Sequence, residues 1–207
     1  LFFEDINYAA DGGLYAEQVQ NRSFEYNPTE RREWHPLSFW EYITPGFSYG
    51  KISVETAEPL HANNPHYIVL EAEHIGHEEK YTGESGVGIK NTGFAGIVVK
   101  AGDKYNLSFF ARQLSAEPML LVLSLQNTKG DILATTTIST ASNQWKQYTG
   151  TLTATASFDT ASLVLMAQST GKLALDVVSL FPEKTFKNRP NGMRADLAQL
   201  LADMKPK

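Results

Sequence analysis

From residue 47 to residue 181 the chain is a succession of short apolar segments with no helical pattern between them. "KYNLSFFARQ" (104–113) shows the pattern best. Tyr105, Leu107, Phe109 and Ala111 fall on one face, and Asn106 and Ser108 on the other, the period of two that a half-buried strand requires. "MLLVLSLQN" (119–127), "ILATTTIS" (132–139), "WKQYTGTLTAT" (145–155), "ASLVLMAQ" (161–168) and "LALDVVSLF" (173–181) are further segments rich in Leu, Val, Ile and Thr. Lys129-Gly130-Asp131, Ser142-Asn143 and Thr170-Gly171 separate them as turns. Residues 47–56, 66–72 and 95–100 are earlier candidates. Many short strands without intervening helices predict an antiparallel β-sandwich of the jelly-roll, galactose-binding-like type.

The two ends break this pattern. In "NGMRADLAQLLADMKP", Met193, Leu197, Leu200, Leu201 and Met204 recur at helical spacing, so an amphipathic helix is expected over 192–204. Asn191 is its predicted N-cap and Pro206 its stop. The apolar opening, residues 1–6, reads as a strand. A strand and a helix flanking a β-region have the order of one βα unit with a sandwich inserted in its loop. Such an insertion needs the incoming and outgoing chain side by side, here "NRSFE" and "LALDVVSLF".

Composition narrows the function. A net charge of −5 provides no basic field for nucleic acid. The absence of cysteine removes a disulfide framework and thiolate metal sites. No apolar run reaches the roughly 20 residues of a membrane helix. Without an initiator Met or signal peptide, Leu1 is read as a processing boundary or an artificial cut.

"FFEDINYAADGGLYAEQVQNRSFE" and "LFPEKTFKNRPNGMRADLAQLLADMKPK" resemble the start of the catalytic part of family 51 α-L-arabinofuranosidases. The stretch between resembles carbohydrate-binding modules of the family 4/9 type. The points of likeness are Asn21-Arg22-Ser23-Phe24-Glu25, Trp40, "AGDKYNLSFFAR", Trp145 and "LDVVSLF". The resemblance implies three parts: residues 1–17 as the first strand and loop of a truncated (β/α)8 barrel, 18–182 as the module, and 183–207 as the first barrel helix. It implies a retaining glycosidase acting on arabinan or arabinoxylan, with two catalytic carboxyls about 5–5.5 Å apart. Neither catalytic glutamate nor the Arg-aromatic-Pro-Gly-Gly signature is present, so this chain alone is expected to be inactive.

By the same resemblance Glu4 holds the arabinofuranose in the parent enzyme, near the carboxyl end of the first barrel strand. Most aromatics are expected in the core, Trp40 and Trp145 in particular. Trp34 in "TERREWHP" and Tyr81 in "EEKYTGESG" are the candidate sugar platforms. No cofactor is required, but Glu25 and Asp176 match the ends between which such modules hold a structural calcium, an ion wanting six to eight oxygens. Glu17 is read as a solvated or structural carboxylate. His74 and His77 straddle Gly76 and read as a polar loop rather than a zinc pair, and "GESGVGIKNTG" as a turn-rich connection. The expected partners are an arabinose-containing polysaccharide and the rest of the barrel, in a secreted or periplasmic protein. The competing classes are a stand-alone binding or adhesion sandwich and a purely structural insert. The terminal motifs favour the enzyme, since a free-standing module has no use for them.

Overall fold

The computed structural model describes residues 9–77 and 84–205. Two antiparallel sheets face each other. One runs β1 (Trp40–Ile43), β4 (Val87–Asn91), β10 (Phe158–Ala167), β7 (Met119–Gln126) and β8 (Ile132–Thr140), with β5 (Ile97–Val99) also pairing with β10. The other runs β2 (Tyr49–Glu55), β3 (Tyr67–His74), β11 (Gly171–Pro182), β6 (Lys104–Gln113) and β9 (Lys146–Thr153). The chain passes repeatedly from one sheet to the other, as in a jelly roll.

The alternation seen in 104–113 survives intact. Tyr105, Leu107, Phe109 and Ala111 are buried, and they pack with Leu123, Leu125, Leu163, Leu165 and Leu175 between the sheets. Two strands escaped the sequence reading. β4 lies inside the stretch read as a turn-rich connection, yet it is the second strand of its sheet, paired with both β1 and β10. Its glycine is there for proximity: a Cβ on Gly88 would stand 2.3 Å from the Leu165 carbonyl oxygen. β1 is only four residues long and carries Trp40 into the core.

The "NRSFE" motif plugs the edge of the sandwich. Asn21 is buried, and its side-chain amide donates to the carbonyls of Pro36 and Ser38, each at 2.9 Å, tying down the loop before β1. Phe24 is fully buried and lies 5.4 Å from Trp40, whose indole N–H donates to the Asn21 carbonyl. Both Asn21 and Phe24 have positive φ (53° and 56°), a cost that the contacts of the plug offset.

The C-terminal helix, α1, is shorter than its apolar stripe suggests, spanning Ala195–Asp203 with Arg194 at the N-cap rather than Asn191. The reason is upstream. Met193 forms an antiparallel bridge with Tyr15, which holds the chain extended before the helix begins. Arg194 then pairs with Asp196 in the first turn, 2.6 Å apart. α1 buries Ala198 and leaves much of the stripe in water, with Leu200 61% and Met204 69% exposed. Among the described residues, no helix is long and apolar enough to cross a membrane.

Candidate carbohydrate-binding surface and junction

The incoming and outgoing segments do lie side by side. The Gln18 amide donates to the Leu180 carbonyl at 2.9 Å, and Val178 donates to Arg22 at 2.9 Å. Arg194 donates to Leu14, and Ala16 to Gly192. Glu17 clamps this seam. It is fully buried, and Oε1 accepts the amides of Leu180 (2.9 Å), Gln18 (3.0 Å) and Val19 (3.1 Å). Oε2 accepts the Ser179 hydroxyl and lies 3.3 Å from the Arg22 guanidinium. Burial pushes its carboxyl upward in pKa, while these hydrogen bonds and Arg22 pull it back. Of the two readings of Glu17, the solvated one is corrected and the structural one stands. Its sequence signal was slight: a lone carboxylate between Ala16 and Val19, both buried. Beside the seam a groove of about 560 Å³ runs between Phe94, Tyr105, Lys184 and Arg194.

The two calcium candidates lie within electrostatic reach of each other. Asp176 sits at the irregularity of β11 between Asp176 and Ser179, fully buried. Its Oδ1 accepts the Val177 amide at 2.7 Å, whereas Oδ2 has no protein partner. Burial, followed by repulsion from Glu25, raises its pKa to about 7. Glu25 is committed elsewhere: Oε1 accepts the His66 amide at 2.8 Å, and Oε2 lies 2.6 Å from His66 Nδ1. Among the described residues no three His, Asp or Glu side chains converge as a metal site. The pair thus supplies one free buried oxygen and one shared carboxylate, short of a calcium shell unless carbonyls and water complete it.

The platform candidates divide. Glu4 and Tyr81 lie outside the described residues. Trp34 is half-exposed, but Tyr26 stacks on it at 4.1 Å and 15°, Phe39 meets it edge-on at 5.9 Å, and the Arg31 guanidinium stands 4.9 Å from its ring centre. Trp34 is thus engaged by three side chains and does not present a free stacking face. Trp40 is core, as expected. Trp145 is not in the main core: it packs on the outer face of the β2–β9 sheet against Tyr67, Val69 and Ala174. Its indole N–H donates to the Glu58 carbonyl, and the Arg112 guanidinium stands 5.5 Å from its ring centre while pairing with the Glu58 carboxylate. His74 and His77 behave as a strand end and loop; the His74 ring stacks on Tyr49.

Sequence reasoning missed two exposed aromatics. Phe47 is 82% exposed and Tyr49 57%, both in a segment read from the sequence as a strand. Tyr42 is partly exposed as well. Alternation in β2 sets Tyr49 with Lys51, Ser53 and Glu55 on the outward face, opposite Ile52 and Val54, whereas Phe47 lies in the turn before the strand, where no alternation applies. On the outer face of the other sheet, the buried Gln126 donates to Glu84 (2.7 Å) and Ser124 (3.0 Å), placing hydrogen-bonding groups along the strands.

Comparison with known proteins bears on this sandwich directly. Residues 16–172 match the carbohydrate-binding domain family of type 4/9. The chain belongs to this family. Over its whole length it is 40% identical to an extracellular exo-α-L-arabinofuranosidase of Streptomyces chartreusis, covering 22% of that protein. It is 30% identical to α-L-arabinofuranosidase 1 of Arabidopsis thaliana, again over its whole length and covering 30% of the relative. Among solved structures, the arabinose-bound α-L-arabinofuranosidase MgGH51 superposes with a TM-score of 0.79 at 32% identity, over 99% of this chain and 32% of that one. The chain thus spans between a fifth and a third of these relatives. A bacteriophage tailspike at 16% identity and TM-score 0.55 shares the fold.

Proposed function

We propose that this carbohydrate-binding sandwich is the N-terminal part of an α-L-arabinofuranosidase and holds arabinose-containing polysaccharide beside the catalytic barrel. The observation that carries the proposal is the seam. The matches to arabinofuranosidases run through both ends of the chain as well as the sandwich. The Tyr15–Met193 bridge brings those ends together, as an insertion in one βα connection requires. In this reading, residues 1–17 contribute the first barrel strand and 183–207 the first barrel helix. The exposed Leu200 and Met204 face the rest of the barrel, and Glu4 binds the arabinofuranose. The retaining carboxylate pair lies elsewhere in the enzyme. Glu25 and Asp176 are the candidate holders of a structural calcium, supported by the free buried oxygen of Asp176. Trp34 and Tyr81 remain candidate sugar contacts. The extracellular relative supports secretion.

The assay is release of arabinose from a chromogenic α-L-arabinofuranoside and from arabinan. We expect none from the 207-residue chain, and release with retained anomeric configuration from the complete protein carrying it. A complete protein that cleaves only other glycosides would overturn the proposal.

A further inference from the structure

We infer that Phe47 and Tyr49 form a sugar-stacking platform at the edge of the sandwich, where a pentose or hexose ring of a neutral polysaccharide docks. The inference rests on the carbohydrate-binding reading and assigns it a site.

The two rings flank Ser48, whose buried hydroxyl oxygen accepts the amides of Gly76 (3.0 Å) and Gly86 (2.9 Å). This buttresses the turn from two other loops. The packing there is too close for side chains: a Cβ on Gly76 would stand 1.9 Å from the Gly46 carbonyl oxygen. With Ser48 turned inward, its neighbours in the chain turn outward. Phe47 is held at φ 58°, a left-handed conformation that is costly for an aromatic residue and persists only where the surroundings enforce it. The fold thus spends backbone strain to place a large apolar ring in water. Its neighbour Tyr49 is oriented from behind by His74, whose ring stacks on it at 5.2 Å and 21°.

The chemistry of the patch selects its occupant. The C–H face of a sugar ring is apolar and suits an aromatic face, while its hydroxyls need donors and acceptors at the rim. Lys51 and Glu73 form an ion pair one step along the strands, providing both kinds of group with no net charge. An anionic or cationic ligand gains nothing there, whereas a neutral glycan does. A second copy of the chain is a poor occupant. Two aromatic side chains offer at most about 500 Å² per copy, about 1,000 Å² over two copies, below the roughly 1,200 Å² total of a stable interface.

The test is a titration of the isotopically labelled 207-residue chain with arabino-oligosaccharides and xylo-oligosaccharides, followed by amide NMR. The expected result is saturable shifts centred on residues 46–51 and 73–76. The double variant Phe47→Ala/Tyr49→Ala should bind at least about tenfold more weakly, two stacking contacts being lost, with an unchanged amide spectrum away from the turn. Wild-type-like binding by the double variant, with loss on Trp34→Ala, would overturn the platform and leave the carbohydrate-binding reading intact. A wild-type chain that binds no glycan would overturn both. A dimer in sedimentation that dissociates in the double variant would reassign the patch to self-association and overturn the platform.

Discussion

Replacing Glu17 with Ala is expected to cost about 3–5 kcal/mol, because it strands the partners of a buried carboxylate. The Leu180, Val19 and Gln18 amides and the Ser179 hydroxyl all donate to this one side chain. The Leu180 and Val19 amides and the Ser179 hydroxyl lose this acceptor when it is removed, whereas the Gln18 amide keeps the Leu180 carbonyl. The Arg22 guanidinium also loses its partner. For a chain of this size the thermal midpoint should fall by about 10 °C. Glu17→Gln keeps an acceptor oxygen and fills the same space, so it should lose less than half as much. Calorimetry of both variants checks the ordering. A loss below about 1 kcal/mol for the alanine variant would mean that the seam does not depend on Glu17, and the clamp would have to be sought in the backbone hydrogen bonds alone.

Asp176 gives an effect of opposite sign. Its pKa is raised from about 3.8 to about 7 in the folded chain. Between these values the folded state keeps a proton that the unfolded state has released. The stability contributed by that proton is fully present below about pH 4 and is lost as pH rises through about 7. Asp176→Asn keeps the acceptor for the Val177 amide and removes the ionisation. At pH 8, without divalent ions, the variant should be more stable than the parent chain by roughly 1–3 kcal/mol, and its stability should lose the downward slope between pH 4 and pH 7. Denaturant unfolding across this range measures both. If the free oxygen of Asp176 serves calcium, millimolar calcium will raise the midpoint of the parent chain at pH 8 and leave Asp176→Asn unmoved. An asparagine variant less stable than its parent at pH 8 in the absence of calcium would contradict the account of Asp176.

How much of this was legible in the sequence follows from what alternation can and cannot encode. A strand between a wet face and a core, such as β6, declares itself through its period, and its bounds of 104–113 match the segment read from the sequence. β4 does not, because Gly88 serves close approach to β10 and looks like turn chemistry. The helix stripe was real, but its first turn was not: Met193 is held by Tyr15, a contact between positions 178 apart in the chain that local capping rules do not contain. Glu25 and Asp176 were brought to notice by family resemblance, and Glu25 acts electrostatically on Asp176. The burial of Asp176 and the capture of Glu25 by His66 required the fold. Phe47, in the turn before β2, shows the same limit from the other side. Composition identifies an aromatic ring, but only the edge of the sandwich determines that it faces water.

The measurement closest to the central claim is isothermal titration of the 207-residue chain with arabinan, arabinoxylan and xylo-oligosaccharides. The account predicts saturable binding to at least one arabinose-bearing glycan. No heat with any of them, from a sample whose cooperative unfolding shows it to be folded, would contradict it.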